Sequence, residues 1–146
     1  MFYYCLIEKG FPIGFPFFLY FYFVDANQRG CFAEYKFGTI AMENGFNVSM
    51  PLLDASPYDA IIEKDGKVFK IQIKSVSADR KKNQNNIHIS LTRNGKGYPK
   101  KYVDYFAIYF VEYDGFFIIE NKGQKAIRLG IDGIYKKNFR NFASIL

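Results

Sequence analysis

The stretch SPYDAIIEKDGKVFKIQIKS, residues 56 to 75, sets Asp59, Gln72 and Lys74 into two otherwise apolar segments. Carboxylate and carboxamide oxygens are hard donors, and they suit Mg²⁺, which takes a few protein ligands and keeps several waters. Such an ion polarises a phosphodiester oxygen and acidifies water, while an ammonium beside it orients the nucleophile or offsets charge building on the phosphate. The chemistry these residue types fit is metal-assisted phosphodiester hydrolysis. Asp59, the Gln72 side chain and the Ile73 backbone carbonyl are then the candidate ligands for Mg²⁺, with Mn²⁺ as a substitute, and Lys74 is the candidate cation at the reacting phosphate.

Two elements must bring these residues together. Asp65-Gly66 predicts a two-residue type I′ turn, in which both central residues need positive φ, so the two apolar segments of 56–75 form a hairpin around it. With Lys64 opposite Lys67, Asp59 falls opposite Gln72. Opposed residues share a sheet face at roughly 5 Å, as do residues two apart on one strand, so Asp59, Gln72 and Lys74 gather on one surface. Glu63 shares that face but lies four residues along the strand from Asp59, roughly 13 Å at about 3.4 Å per residue, too far to join them.

The fourth candidate comes from a helix. From Arg29 to Asn44, Ala33, Phe37, Ile40 and Ala41 recur at i, i+4, i+7 and i+8, one apolar stripe. Glu34 borders that stripe, being three and seven residues from Phe37 and Ala41, so a helix packed on the sheet could aim its carboxylate at the hairpin cluster. Two carboxylates beside a lysine cost free energy unless compensated, and a divalent cation compensates them, which makes Glu34 a further candidate ligand. Taken singly, each residue has an ordinary role: Asp59 opens a strand, Lys74 is a surface lysine, Glu34 is a helix-face acid.

The rest of the chain reads as one domain. Asn44-Gly45-Phe46 is a helix stop, NVSMP a short strand ended by Pro51, and IHISLT an alternating strand through Ile87, Ile89 and Leu91. VDYFAIYFVEYDGFFIIE predicts two apolar strands around a turn at Asp114-Gly115. KAIRL is a further edge strand, and Tyr135, Phe139, Phe142 and Leu146 recur at near-helical spacing, which predicts a packing helix in the tail.

Length and composition agree. At 146 residues, with 49% hydrophobic and 20% aromatic side chains, the chain is too long to leave without a core and too short for two ordinary domains. This composition excludes disorder and predicts a densely packed α/β or α+β core. Cys5 and Cys31 match no metal-ligand spacing and are expected as reduced thiols of an intracellular, cytoplasmic protein. The single histidine, His88, excludes multi-histidine metal sites. No Ser-His-Asp set, P-loop or dinucleotide fingerprint is present. The apolar run GFPIGFPFFLYFYFV, residues 10 to 24, is shorter than the about 20 residues a membrane span needs and carries Pro12 and Pro16, so stable membrane insertion is not expected. It also lacks the flanks of a signal peptide. Residues 1–29 are read as an N-terminal appendage.

Net charge is +6, and it is uneven: residues 64 to 101 hold 11 basic and two acidic side chains. A patch of that kind fits a polyanion, most simply nucleic acid. Ser75, Arg80, Lys81, Lys82, Arg93, Lys96, Lys100 and Lys101 are the residues expected to contact DNA, with Tyr98 or Tyr102 against sugar or base or as anchors of the next strand.

With these residues in view, RGCFAE, then PLLDASPYDAIIEKDGKVFKIQIKS, then KYVDYFAIYF resemble the PD-(D/E)XK nuclease superfamily. The resemblance is to its small branch of group I intron homing endonucleases and related phage or bacterial proteins, which read G…E, P…YD and QxK. It covers residues 30 to about 120 and assigns a nuclease-like domain to residues 30–146. It implies a mixed four- or five-stranded sheet flanked by helices, a restriction-endonuclease-like core, and Mg²⁺-dependent cleavage of double-stranded DNA. It also carries over Glu34, Asp59, Gln72 and Lys74 as the active site. Gln72 departs from the acidic third position of the wider superfamily and binds a cation more weakly, although the homing branch is similar in using Gln. Cutting both strands needs two sites, hence a homodimer or homotetramer. A catalytically inactive DNA-binding protein on this fold and a structure-specific nuclease resembling Holliday-junction resolvases remain open beside it.

Overall fold

The computed structural model describes residues 25–53, 55–77 and 86–145. The N-terminal run at 10–24 and the basic residues Arg80, Lys81 and Lys82 lie outside them. Helix α1, Ala26–Glu43, begins earlier than its apolar stripe suggests, because Asp25 caps it: the carboxylate accepts from Asn27 N at 2.8 Å and Gln28 N at 2.9 Å. Its end is a Schellman motif. Gly45, at φ +81°, donates to the Met42 carbonyl at 2.9 Å and Phe46 donates to that of Ala41 at 3.1 Å.

The central sheet is mixed, as the resemblance implies, with five strands. They are β1 (Asn47–Ser49), β2 (Ala60–Lys64), β3 (Lys67–Val76), β7 (Tyr105–Phe110) and β8 (Gly115–Glu120), in the order β1-β2-β3-β7-β8. Only β3 and β7 run parallel. The predicted hairpin forms in the predicted register: Lys64 pairs with Lys67, and Asp65 and Gly66 take φ of 52° and 73°. Between β3 and β7 the chain passes through β4 (Ile87–Ser90), β5 (Thr92–Arg93) and β6 (Lys96–Gly97). Strand β4 pairs with β9 (Ala126–Leu129) in a small second sheet, so KAIRL is an edge strand of that sheet and not of the central one.

Alternation along the strands splits the core in two. On one face, Ile71 and Ile73 of β3 and Ala107 and Tyr109 of β7 pack with Ala33 and Phe37 of α1. Phe37 stacks on Phe142 at 5.7 Å between ring centres and meets Phe116 edge-on at 5.6 Å. On the other face, Phe106, Ile108 and Phe110 of β7 pack under Ile89, Ile127 and Leu129 of the small sheet.

The tail corrects the expectation of a packing helix there. Among the described residues α1 is the sole α-helix, and the C-terminal segment consists of 3₁₀ turns at Lys136–Asn138 and Phe142–Ile145. Between them Phe139 is extended and bridges to Phe117, and Arg140 N donates to the Phe116 carbonyl at 2.7 Å. Satisfying the open edge of β8 outweighs continuing a helix, since an unpaired strand edge leaves its backbone groups unmatched. Gly115 permits this closure, because a Cβ there would lie 2.5 Å from Phe139 Cζ.

Candidate active site

Strand β1 ends at Ser49, opposite Ile61, and β2 begins at Ala60, opposite Ile71, so β3 beyond Ile71 has no outer strand neighbour. Asp59 occupies that opening. Its backbone N–H donates to the Ile71 carbonyl at 2.9 Å, and its side chain then takes over from the backbone ladder: Oδ2 accepts from Ile73 N at 2.7 Å and from Gln72 Nε2. In an extended strand the N–H and C=O of one residue point the same way, so the Ile73 carbonyl also faces this opening, 3.5 Å from Gln72 Nε2.

Lys74 is half-buried on the same face as Gln72, its ammonium 5.8 Å from the ring centre of Tyr98. Tyr98 is buried and meets Phe106 edge-on at 5.6 Å. Burial pushes the Asp59 carboxyl above its ordinary value, against the lowering effects of the Ile73 N–H, Lys74, Gln72 and Arg93. Burial likewise pushes the Lys74 ammonium down, against the attraction of Asp59. Both charges are therefore held where folding alone does not favour them, as at many reactive sites. Burial also raises the Tyr98 phenol, and the Asp59 carboxylate adds to it.

Glu34 is reached differently from what the sequence suggests. Helix α1 packs on the face that carries Ile71 and Ile73, whereas Gln72 and Lys74 project from the other. Gly38 of α1 faces Met50 and Val48, with Val48 paired to Ile62, and Glu34, half-buried, precedes Gly38 by about one helical turn.

Asp59, Gln72 and the Ile73 carbonyl thus lie together with Lys74 beside them, the Gln72 amide nitrogen turned toward both oxygens. These residue types fit Mg²⁺ once the Gln72 amide presents its oxygen: a carboxylate with a second oxygen, a carboxamide and a backbone carbonyl beyond the start of β2. No cluster of three His, Cys, Asp or Glu occurs among the described residues, so carboxylates alone do not build the site.

The predicted DNA contacts scatter. Ser75 pairs with Tyr109 and by alternation belongs to the face under α1, away from Lys74. Lys100 sits 3.9 Å from Glu120, and Lys101 Nζ lies 4.7 Å from the Tyr102 ring centre. Lys96 stands opposite Arg93 on the β5–β6 hairpin. Arg93 reaches further in, donating from Nη1 to the Ser56 carbonyl at 2.9 Å, and its charge acts on Asp59 and Tyr98. Its place beside the acid was not evident from sequence. The signal was Asn94-Gly95, a second positive-φ turn at 51° and 73° that makes a hairpin of what reads as a basic loop. Tyr98 proves to be the buried floor under Lys74, closer to the strand-anchor reading than to a free stacking platform.

An acid, an amide and a lysine thus meet where the first two long strands of the mixed sheet adjoin. Residues 24–144 match the family model for the PD-(D/E)XK endonucleases, and the chain belongs to that family. Among solved structures, a bacterial homing endonuclease, I-Ssp6803I, shares the fold with a TM-score of 0.68 at 20% sequence identity, over 84% of this chain and 91% of that one. Comparison with curated proteins finds no match. No helix among the described residues is long and apolar enough to cross a membrane.

Proposed function

We propose that the protein is a metal-dependent DNA endonuclease, of homing type and active as a homo-oligomer, which hydrolyses phosphodiester bonds at the Asp59 site. One observation carries this reading: a half-buried carboxylate, raised toward its neutral form by burial, shares the opening before β2 with an amide, the Ile73 carbonyl and a lysine. Asp59, Gln72 and the Ile73 carbonyl would hold Mg²⁺ or Mn²⁺, with Glu34 as a further ligand from the helix side. The ion supplies Lewis-acid charge to the phosphate and acidifies water when bound.

The chain's own residues do the rest. Asp59 and Gln72 fix the donor geometry through their mutual hydrogen bond and that from Ile73 N. The Lys74 ammonium, already partly stripped of water, faces the reacting phosphate and offsets the negative charge that grows there. A water oxygen bonds to phosphorus, one P–O ester bond breaks, and the water proton ends on the departing sugar oxygen. Lys96, Lys100 and Lys101, with Arg80, Lys81 and Lys82 from the basic segment, supply charge for the DNA backbone, which fixes position and not sequence.

A second reading rests on the Gln72 amide, whose nitrogen and not its oxygen faces Asp59. If that orientation persists, metal is held weakly and the protein binds DNA without cutting it. The separating experiment is conversion of a supercoiled plasmid library by the wild type with Mg²⁺, Mn²⁺ or EDTA, beside Asp59→Ala and Lys74→Ala. Metal-dependent nicking by the wild type alone, with DNA binding retained by all three, is the expected result. Equal binding with no nicking by any of them overturns the nuclease proposal and leaves the binding one.

A further inference from the structure

Arg93 occupies a position that a remote backbone contact does not need. It sits at the tip of the β5–β6 hairpin, opposite Lys96, where Asn94 and Gly95 make the tight turn. Both ends of the hairpin are fixed in the core. Leu91, which precedes β5, is fully buried and donates from its backbone to the Lys125 carbonyl at 2.8 Å. Tyr98, which follows β6, is buried beneath Lys74, and its carbonyl accepts from Asn121 Nδ2 at 3.0 Å. The arm that carries Arg93 is therefore built on the same residue that floors the Lys74 side of the site.

The guanidinium then makes an unexpected choice of partner. It reaches back from the hairpin to the segment that leads into Asp59. Yet it forms no ion pair with Asp59 and donates instead to the Ser56 carbonyl, three residues before it. A guanidinium has five N–H donors in a rigid fork. One is used on Ser56, and the exposed remainder stands at the mouth of a site whose substrate is a phosphate. Arginine matches phosphate oxygens two at a time, which a lysine does not.

We propose that Arg93 is a catalytic residue that grips the scissile phosphate beside Lys74, with the Ser56 carbonyl aiming the fork. This rests on the endonuclease reading above. No proton passes to or from Arg93; it holds the phosphate oxygens while the P–O bond to water forms and the ester bond breaks. Its contribution appears in the chemical step and not only in affinity.

The test is single-turnover nicking of the supercoiled plasmid library at saturating protein, with wild type, Arg93→Ala, Arg93→Lys and Lys96→Ala. Duplex binding in EDTA is measured alongside at several salt concentrations. Arg93→Ala is expected to bind within about threefold of wild type and to nick about 100-fold more slowly, the usual loss for one aimed transition-state donor. Arg93→Lys is expected to recover less than a tenth of the rate, and added guanidinium ion to restore part of it to Arg93→Ala, which a folding defect would not allow. Lys96→Ala is expected to weaken duplex binding, with its salt dependence reduced by about one charge. Wild-type nicking together with an Arg93→Ala rate at saturation equal to wild type overturns the assignment and leaves the nuclease intact. A wild type that nicks under no metal condition overturns both.

Discussion

Asp59 and Asp114 are carboxylates in nearly the same company, each with a lysine and a tyrosine, and the two neighbourhoods are wired in opposite ways. Asp114 accepts directly from Lys36 Nζ and from the Tyr109 hydroxyl, while the Lys36 ammonium also lies 5.3 Å from the Tyr109 ring centre. Arg140 closes the corner by donating to the Tyr113 and Asp114 carbonyls at 2.9 and 3.2 Å. Burial works to raise the Asp114 carboxyl, but the hydrogen bonds from Lys36 and Tyr109 and the two positive charges outweigh it, and the net shift is downward. At Asp59 the balance reverses. Lys74 rests over Tyr98 without reaching the acid, and burial wins. One cluster is a finished ion pair that ties α1 to the β7–β8 corner; in the other, Lys74 and Arg93 act on the acid from a distance and no cation among the described residues bonds to it directly.

The sharpest way to break this comparison is to remove the two lysines separately. Lys74→Ala is expected to lower single-turnover nicking by about 10²- to 10³-fold while leaving the folded state intact. Lys36→Ala is expected to leave nicking per folded molecule unchanged and to lower stability by about 1 kcal/mol, since its carboxylate partner is more than half exposed. Nicking rates and thermal melts of the two variants check both halves. Equal loss of activity in the two would mean that the Asp114 corner also serves the chemistry.

A smaller effect distinguishes the acids by their appetite for metal. A ligand that binds only the folded state adds RT ln(1 + [L]/Kd), about 2.7 kcal/mol at a hundredfold excess over Kd. Mg²⁺ or Mn²⁺ titrated into metal-free protein is therefore expected to raise the melting temperature of the wild type and of Asp114→Asn alike, and not that of Asp59→Ala. A metal-induced rise that survives Asp59→Ala would move the cation elsewhere.

How much of this was legible depends on which interactions are local. The hairpin register followed from Asp65-Gly66 alone, because a two-residue turn fixes every opposed pair after it, and so Asp59 and Gln72 meet as read. The α1 stripe and its stop at Gly45 are equally local. Glu34 was harder: its periodicity gives the helix face, but only the packed structure says which side of the sheet the helix covers and that β1 stops short at Ser49. The tail misled for the same reason. Phe139 and Phe142 recur like a helix, yet the unpaired edge of β8, distant in sequence, claims the Arg140 N–H. The Asp114 cluster left no trace in the sequence, since Lys36 and Asp114 are 78 residues apart.

The finest test uses charge removal without loss of shape, and the two acids should answer with opposite signs. Asp59 titrates above its ordinary value in the folded protein, so its contribution to stability is fully present below the unfolded value of 3.8 and is lost as pH rises through the folded value. Asp59→Asn removes that loss: in EDTA at pH 7 it is expected to melt a few degrees above wild type, with the gap closing as pH falls toward 4. Asp114 titrates below its ordinary value, so it stabilises above the unfolded value of 3.8, and that contribution is lost as pH falls through the folded value. Asp114→Asn is expected to melt below wild type at pH 7, with its deficit shrinking in acid. Melting temperatures of the three proteins across pH 3 to 8 carry the comparison. Were Asp59→Asn to destabilise at neutral pH, Asp59 would be a second structural ion pair, and the stability given up to keep an acid open for metal would not exist.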